Sequence, residues 1–368
     1  MKIHAEREAL VEVGQAVSRV VSSRSALPVL SGIRITAGEG EVVFDATDLE
    51  LFVSVRADFG IEESGSVVVP GRLFGDILRS LPSGKVAIEG REAEGRVWVR
   101  GGSSEFSVTA LPVADFPAVP DMPPGEAAHV EGQELARALK QAVRAASTDE
   151  GRPVLTGVLW SVDGGVLRLA ATDSYRLAVR ELPVKEGPST AEAVIPGRAL
   201  AEFARHIGGG GEENARIWLG ETQGGFEVAR TRMITRLIEG RFPDYKQLIP
   251  SSYPNKLVAD RDALRQAVER MALVAKANTP VKVHLGDDVQ LTATQTGVAD
   301  ASEIVEGVTY EGEPMVVGFN PRFLTDGLDD IESDRAIVEL IDPGRPALLK
   351  GEGRDEFMYL LMPVRLWT

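Results

Sequence analysis

The chain repeats itself. Pro28-Val29-Leu30-Ser31-Gly32 returns as Pro153-Val154-Leu155-Thr156-Gly157, and Ala46-Thr47-Asp48 returns as Ala171-Thr172-Asp173, both shifted by about 125 residues. Val68-Val69-Pro70-Gly71-Arg72 is answered by Val194-Ile195-Pro196-Gly197-Arg198, and Asp115-Phe116-Pro117 by Arg241-Phe242-Pro243. A third, fainter copy offers Thr279-Pro280-Val281, Ala293-Thr294-Gln295-Thr296, Phe319-Asn320-Pro321-Arg322 and Met362-Pro363-Val364 in the same order. Solenoid repeats run to about 20–50 residues, so a period this long is a whole domain used three times. Pro-rich segments at 120–125 and 250–254 mark the joints. The expected domains are 1–125, 126–252 and 253–368.

Each copy has the same layout. An amphipathic helix opens it, over 6–22, 134–146 and 262–274; in the first, Leu10, Val13, Val17 and Val20 recur at helical spacing. A second helix follows each Pro-Gly-Arg or Asn-Pro-Arg signal, over 73–81, 199–207 and 323–331. Proline suits that place because the N–H it lacks has no helical partner in the first turn. Short strands such as Gly32-Ile33-Arg34-Ile35 fill the rest, about eight per copy. The fold class is therefore α+β, with two helices on an antiparallel sheet in every copy.

Among the 368 residues there is no cysteine, which removes disulfides, thiol nucleophiles, iron–sulfur clusters and Cys-type zinc sites, and fits a reducing compartment. No apolar stretch follows the one Lys of the opening MKIHAEREAL, and none approaches the ~18 residues of a membrane span. The expectation is a soluble cytoplasmic protein. With 40 Lys+Arg against 55 Asp+Glu the net charge is −15. Spread evenly, that charge would count against nucleic acid, since duplex binding is largely phosphate neutralisation. It is not spread evenly: the six helices sum to about +3, leaving about −18 on strands and loops. For any single arginine, the plainer reading is the solvated face of its helix; the sum over repeats says more.

Three strings, Thr172-Asp173-Ser174-Tyr175-Arg176-Leu177-Ala178, Gly240-Arg241-Phe242-Pro243-Asp244-Tyr245 and Tyr359-Leu360-Leu361-Met362-Pro363-Val364-Arg365-Leu366, resemble those of the bacterial sliding clamps, the DNA polymerase III beta subunits. The resemblance covers essentially the whole chain. It implies the DNA-clamp fold, a head-to-tail homodimer closed into a ring of six domains, and helices lining the hole. It implies no cofactor and no catalytic residue: the DNA-directed DNA polymerase (nucleotidyltransferase) activity belongs to partner subunits. Helix packing distances of about 8–10 Å leave a hole on the order of 25–30 Å inside twelve helices, enough for a duplex about 20 Å across, which six helices could not admit.

By the same resemblance, double-stranded DNA would be touched without sequence preference by Arg24, Arg72, Arg137, Lys140, Arg144, Arg198, Arg265 and Arg322. A groove for short peptides of the polymerase III alpha subunit, the clamp loader and repair factors would comprise Leu155, Thr172, Tyr175, Arg176, Leu177, Pro243, Leu248, Pro346, Leu360, Met362, Pro363, Val364 and Arg365. The dimer contact would use Phe106, Ala272 and Leu273. The chain departs from the family pattern at Asp149-Glu150, where a polar amide is common, at Gln247 and Leu248, and in its terminal Trp367-Thr368.

Two other classes compete. An enzyme would need a chemical constellation, yet Asp48 and Asp173 each stand alone in an Ala-Thr-Asp turn, where Asp commonly satisfies backbone N–H groups. His4, His129, His206 and His284 are scattered, and the Gly208 to Gly211 run lacks the Gly-Lys-Ser/Thr of a phosphate-binding loop. A pseudo-symmetric scaffold that binds proteins without encircling DNA would share the repeats and groove but would not require basic helices.

Overall fold

A computed structural model gives the architecture and describes residues 1–21, 27–91, 94–207, 214–275 and 279–366. The expected helices are all present: α1 (Arg7–Ser18), α2 (Gly71–Ser80), α3 (Gly132–Arg144), α4 (Gly197–Ile207), α5 (Arg261–Ala272) and α6 (Pro321–Asp329). Three of the starts are capped by a side chain. Asp260 accepts a bond from the Ala263 N–H at 2.8 Å, Asn320 accepts from Arg322 N–H at 3.0 Å, and Glu131 accepts from Glu134 N–H at 2.6 Å. Each side chain thereby satisfies a first-turn donor that has no helical partner. With these bounds the helices still total about +3 within a chain of −15.

Where the sequence reading opens each copy on a helix, the structure puts a short strand first: Lys2–Glu6, Ala128–Glu131 and Asn255–Asp260. Four to six residues give little periodicity to read. Their strand state comes from remote partners, as when Ile3 pairs with Ile88 and Leu257 with Val338.

Two compact units emerge. One comprises Met1–Ala136, Lys185–Pro188 and Glu202–Leu237, the other Arg137–Val184, Ser189–Ala201 and Ile238–Thr368. The division runs through the second copy because strands pair across copies. In the first unit, an eight-stranded antiparallel sheet joins Thr231–Arg236 of the second copy to Leu51–Ala57 of the first, with Met233 opposite Val53. In the second unit, a nine-stranded antiparallel sheet joins Arg176–Pro183 of the second copy to Arg354–Leu361 of the third, with Leu177 opposite Leu360. Each unit holds a further sheet. The first has a five-stranded sheet ending on Ser104–Thr109; the second has a four-stranded sheet ending on Ala299–Ile304.

The core lies between helices and sheets. Leu10 and Val17 of α1 and Phe74 and Leu78 of α2 are fully buried, each side chain worth about 1.5–3 kcal/mol of transfer from water. Gly14 allows the two helices to approach, since a Cβ there would sit 3.3 Å from the Leu78 Cδ1. The later copies carry Leu139 and Val268 at that place.

Candidate functional site

The Ala-Thr-Asp turn shapes the site from the backbone up. In the second copy the Asp173 Oδ1 accepts bonds from the N–H groups of Tyr175 and Arg176 at 2.9 and 3.0 Å, and Thr172 Oγ1 accepts from Ser174 N–H at 3.1 Å. Ser174 takes a left-handed φ of 78° and so turns Tyr175 outward. The first copy repeats the device: Asp48 accepts from Glu50 and Leu51 N–H at 3.1 and 2.9 Å, with Leu49 at φ 78°. Both aspartates act as turn acceptors, as that motif predicts.

Past this turn the strands Arg176–Pro183 and Arg354–Leu361 run side by side, and the Met362 N–H donates to the Tyr175 carbonyl at 2.9 Å. Leu177 and Leu360 form a buried floor with Leu159, Val179, Val194, Phe242, Tyr245 and Leu348. Around it stand apolar side chains left open to solvent: Tyr175 is 62%, Leu248 51% and Met362 42% exposed. Exposed large apolar groups beside a buried apolar floor make this a candidate contact surface. Of the other expected groove residues, Leu155, Pro346, Pro363 and Val364 are half-buried, Pro243 and Arg365 are exposed, and Thr172 is buried, donating to the Arg176 carbonyl at 2.6 Å. The Val364 N–H donates to the Gly318 carbonyl at 2.8 Å, which ties down the tail of the chain.

Arg176 is placed differently from its neighbours. It is 7% exposed and donates to Asp173 at 3.0 Å, Asp326 at 2.5 Å, the Tyr359 hydroxyl at 3.3 Å and the Arg144 carbonyl at 2.6 Å. Its guanidinium also lies 4.4 Å from the Phe323 ring centroid, and Phe323 stacks on Tyr175 at 6.3 Å. Burial alone would lower the guanidinium pKa, but Tyr359, Asp326 and Asp173 hold it above its usual value. Arg176 therefore sets the posture of Tyr175 from beneath. Phe323 and Tyr359 were not among the expected residues; their part depends on α6 packing over the strands, which no local string announces.

The expected phosphate contacts divide in two. Arg72, Arg198 and Arg322 are exposed at the same place in the first turns of α2, α4 and α6, and Arg137 and Lys140 are exposed on α3. Arg144 and Arg265 are half-buried among carboxylates. Arg144 lies 3.3 Å from Asp329, 3.5 Å from Asp330 and 3.7 Å from Asp326, and Arg265 lies 2.6 Å from Glu269 and 3.7 Å from Asp329. Arg24, the Gly208 to Gly211 run and Trp367-Thr368 lie outside the described residues. Asp149 turns back on Arg152 at 3.0 Å, and Gln247 donates to Asp244 at 2.8 Å. The expected dimer residues sit at the edges of the other two sheets' units: Phe106, 36% exposed, on the terminal strand Ser104–Thr109, and Leu273, 83% exposed, just past half-buried Ala272 at the end of α5.

Burial pushes the Asp330 carboxyl up to about 7; Arg144 opposes that rise, and Asp326 and Asp329 add to it. An acid with a raised folded pKa stabilises the fold below its unfolded value near 3.8 and loses that contribution as pH rises through about 7. Asp330→Asn is therefore expected to reduce the stability lost between pH 5 and pH 8 by on the order of 2–3 kcal/mol. Urea unfolding followed by tryptophan fluorescence measures it; an unchanged difference would contradict the assignment.

No cluster of three or more His, Asp or Glu suited to a metal occurs among the described residues, and no described helix is long and apolar enough to cross a membrane. Tandem copies of two helices on antiparallel strands, sheet joined to sheet across the copies, define the clamp class of replication proteins. Models of the DNA polymerase III beta subunit match in turn, the N-terminal domain over residues 1–120, the central domain over 129–244 and the C-terminal domain over 246–365. The beta sliding clamp of Streptomyces coelicolor is 38% identical over 380 residues, covering 100% of both chains. Among solved structures, a DNA polymerase sliding clamp of Bacillus subtilis aligns at TM-score 0.93 and 29% identity, and a Pseudomonas aeruginosa sliding clamp bound to griselimycin at 0.92 and 30%, each over 100% of both chains. The chain belongs to the DNA polymerase III beta subunit family, the bacterial beta sliding clamps, and is a non-catalytic processivity factor.

Proposed function

We propose that two copies close head to tail into a ring whose helices face duplex DNA. Once closed, the ring tethers the polymerase III alpha subunit, the clamp loader and repair factors through short peptides docked on the Leu177–Leu360 surface. The observation that supports this most strongly is the pairing of strand edges. At both joints inside the chain a strand of one copy is zipped to a strand of the next. The corresponding terminal strands Ser104–Thr109 and Ala299–Ile304 end their sheets instead, beside exposed Phe106, Leu273, Val298 and Ile304. An unpaired edge with apolar neighbours is a template for a second chain, and unlike edges on one molecule give a head-to-tail contact that closes if each chain spans half a turn.

On this reading Arg72, Arg137, Lys140, Arg198 and Arg322 touch phosphates weakly and without sequence preference, while Arg144 and Arg265 hold helices together. Weak contact is what sliding needs, because the closed ring supplies retention. The excess negative charge on strands and loops keeps DNA from adhering elsewhere. The work is done in the cytoplasm, where the chromosome lies.

The test loads the protein onto nicked circular DNA with a clamp loader and then cuts the circle. The clamp is expected to stay on circles at moderate salt and to be lost from linear DNA. Retention after linearisation would overturn encirclement and favour a protein that grips DNA directly.

A further inference from the structure

The two joints within the chain share a second device besides strand pairing. Aligned on their buried positions, Leu10, Gly14 and Val17 of α1 match Leu135, Leu139 and Ala142 of α3, which puts Arg19 and Arg144 at the same place. Aligned on Pro-Gly-Arg and Asn-Pro-Arg, Glu202 of α4 and Asp326 of α6 also coincide. These equivalent residues meet in both joints: Arg19 lies 3.3 Å from Glu202, and Arg144 lies 3.7 Å from Asp326. Glu202 is 5% exposed and Arg144 and Asp326 are half-buried, so each tie has at least one partner largely withdrawn from solvent, although Arg19 itself is exposed. Such ties resist separation, because pulling one partner away leaves the other imperfectly compensated.

The third set of positions is present but unmatched. Leu264, Val268 and Met271, buried on α5, occupy the equivalent positions and place Leu273 where Arg19 and Arg144 stand. On α2 the carboxylate position is Asp76. The side chain of Asp76 is 69% exposed and Leu273 is 83% exposed. Asp76 is nonetheless set up as Glu202 is. Glu202 accepts from Arg205 one turn on at 2.6 Å while its other oxygen meets Arg19; Asp76 accepts from Arg79 at the same spacing.

We propose that Leu273 of one copy faces the partner's Asp76, so that the two seams between protomers lack the arginine–carboxylate tie that the inner joints share. The inference rests on the head-to-tail reading above and adds to it which residues oppose each other and why this joint opens. An apolar side chain gives non-directional attraction. A hydrogen-bonded charge pair acts mainly by slowing dissociation. Leucine at the seam therefore keeps the ring closed yet separable for loading, while the two inner joints stay shut.

The test is a double-mutant cycle on the dimer dissociation constant, measured by sedimentation for wild type, Leu273→Arg, Asp76→Ala and the pair. All positions are solvent-exposed in the single chain, and thermal melts check that each variant folds. Asp76→Ala is expected to weaken the Leu273→Arg dimer at least tenfold and the wild-type dimer less than twofold. Equal factors in both backgrounds would overturn the pairing while leaving the dimer standing. A wild-type chain that stays monomeric at all concentrations would overturn the head-to-tail reading itself. On nicked circular DNA, Leu273→Arg is expected to lengthen residence severalfold and Asp76→Ala to cancel the gain; residence independent of Asp76 would again reject the pairing.

Discussion

Phe106→Asp combined with Leu273→Asp is expected to yield a folded monomer at concentrations where the unaltered chain is a dimer. Both side chains are exposed in the single chain, Phe106 on a terminal strand and Leu273 just beyond α5, so neither change removes a contact that holds the fold. In the proposed dimer Phe106 becomes buried against apolar surface and Leu273 is covered where it faces the partner's Asp76. A carboxylate there must be desolvated without a partner, at several kcal/mol apiece, and about 4 kcal/mol in total already weakens association a thousandfold. Light scattering should report the mass of one chain. Retention on circular DNA should fall with it, since an open arc has no topological hold. An intact dimer would remove Phe106 and Leu273 from the interface.

Deletion of residues 362–368 is expected to abolish binding of polymerase and loader peptides, by a hundredfold or more, while the dimer persists. The deletion takes away Met362, whose flexible thioether suits an adaptable apolar wall, together with Pro363, Val364 and Arg365. It leaves Leu360 and Leu361 paired with Leu177 and Arg176, so the floor remains. The structural losses are the Met362 to Tyr175 and Val364 to Gly318 hydrogen bonds and the packing of Leu366 on Gly318. Fluorescence anisotropy with a labelled peptide measures the effect. Met362→Leu, which keeps an apolar wall, is expected to bind within a few-fold of the unaltered chain. Undiminished affinity in the deletion would place the peptide elsewhere.

Much of this was readable in the amino-acid order. Repeated strings gave the three copies, and proline beside arginine located the starts of α2, α4 and α6 to within two residues. The aspartates of the Ala-Thr-Asp turns behaved as local chemistry requires, because their partners lie two and three residues away. The opening strands were missed, since four to six residues carry too few alternations to outweigh the helix that follows. The roles of Arg144 and Arg176 were equally hidden. Arg144 reads from sequence as a phosphate contact on a basic helix and Arg176 as a groove residue, yet each is bound to carboxylates 150 or more residues away. Phe323 and Tyr359 entered the site for the same reason: only the meeting of α6 with two distant strands brings them to Arg176.

The cross-copy strand pairing also has a bearing on biosynthesis. As the chain leaves the ribosome, Leu51–Ala57 emerges early but its partner Thr231–Arg236 comes roughly 180 residues later, and Arg176–Pro183 must wait a similar length for Arg354–Leu361. The first two copies are therefore each born with an unsatisfied flank that only the next copy can cover. Prematurely terminated chains should display that flank and self-associate, so the middle copy in particular has no finished form of its own until Arg354–Leu361 has been made.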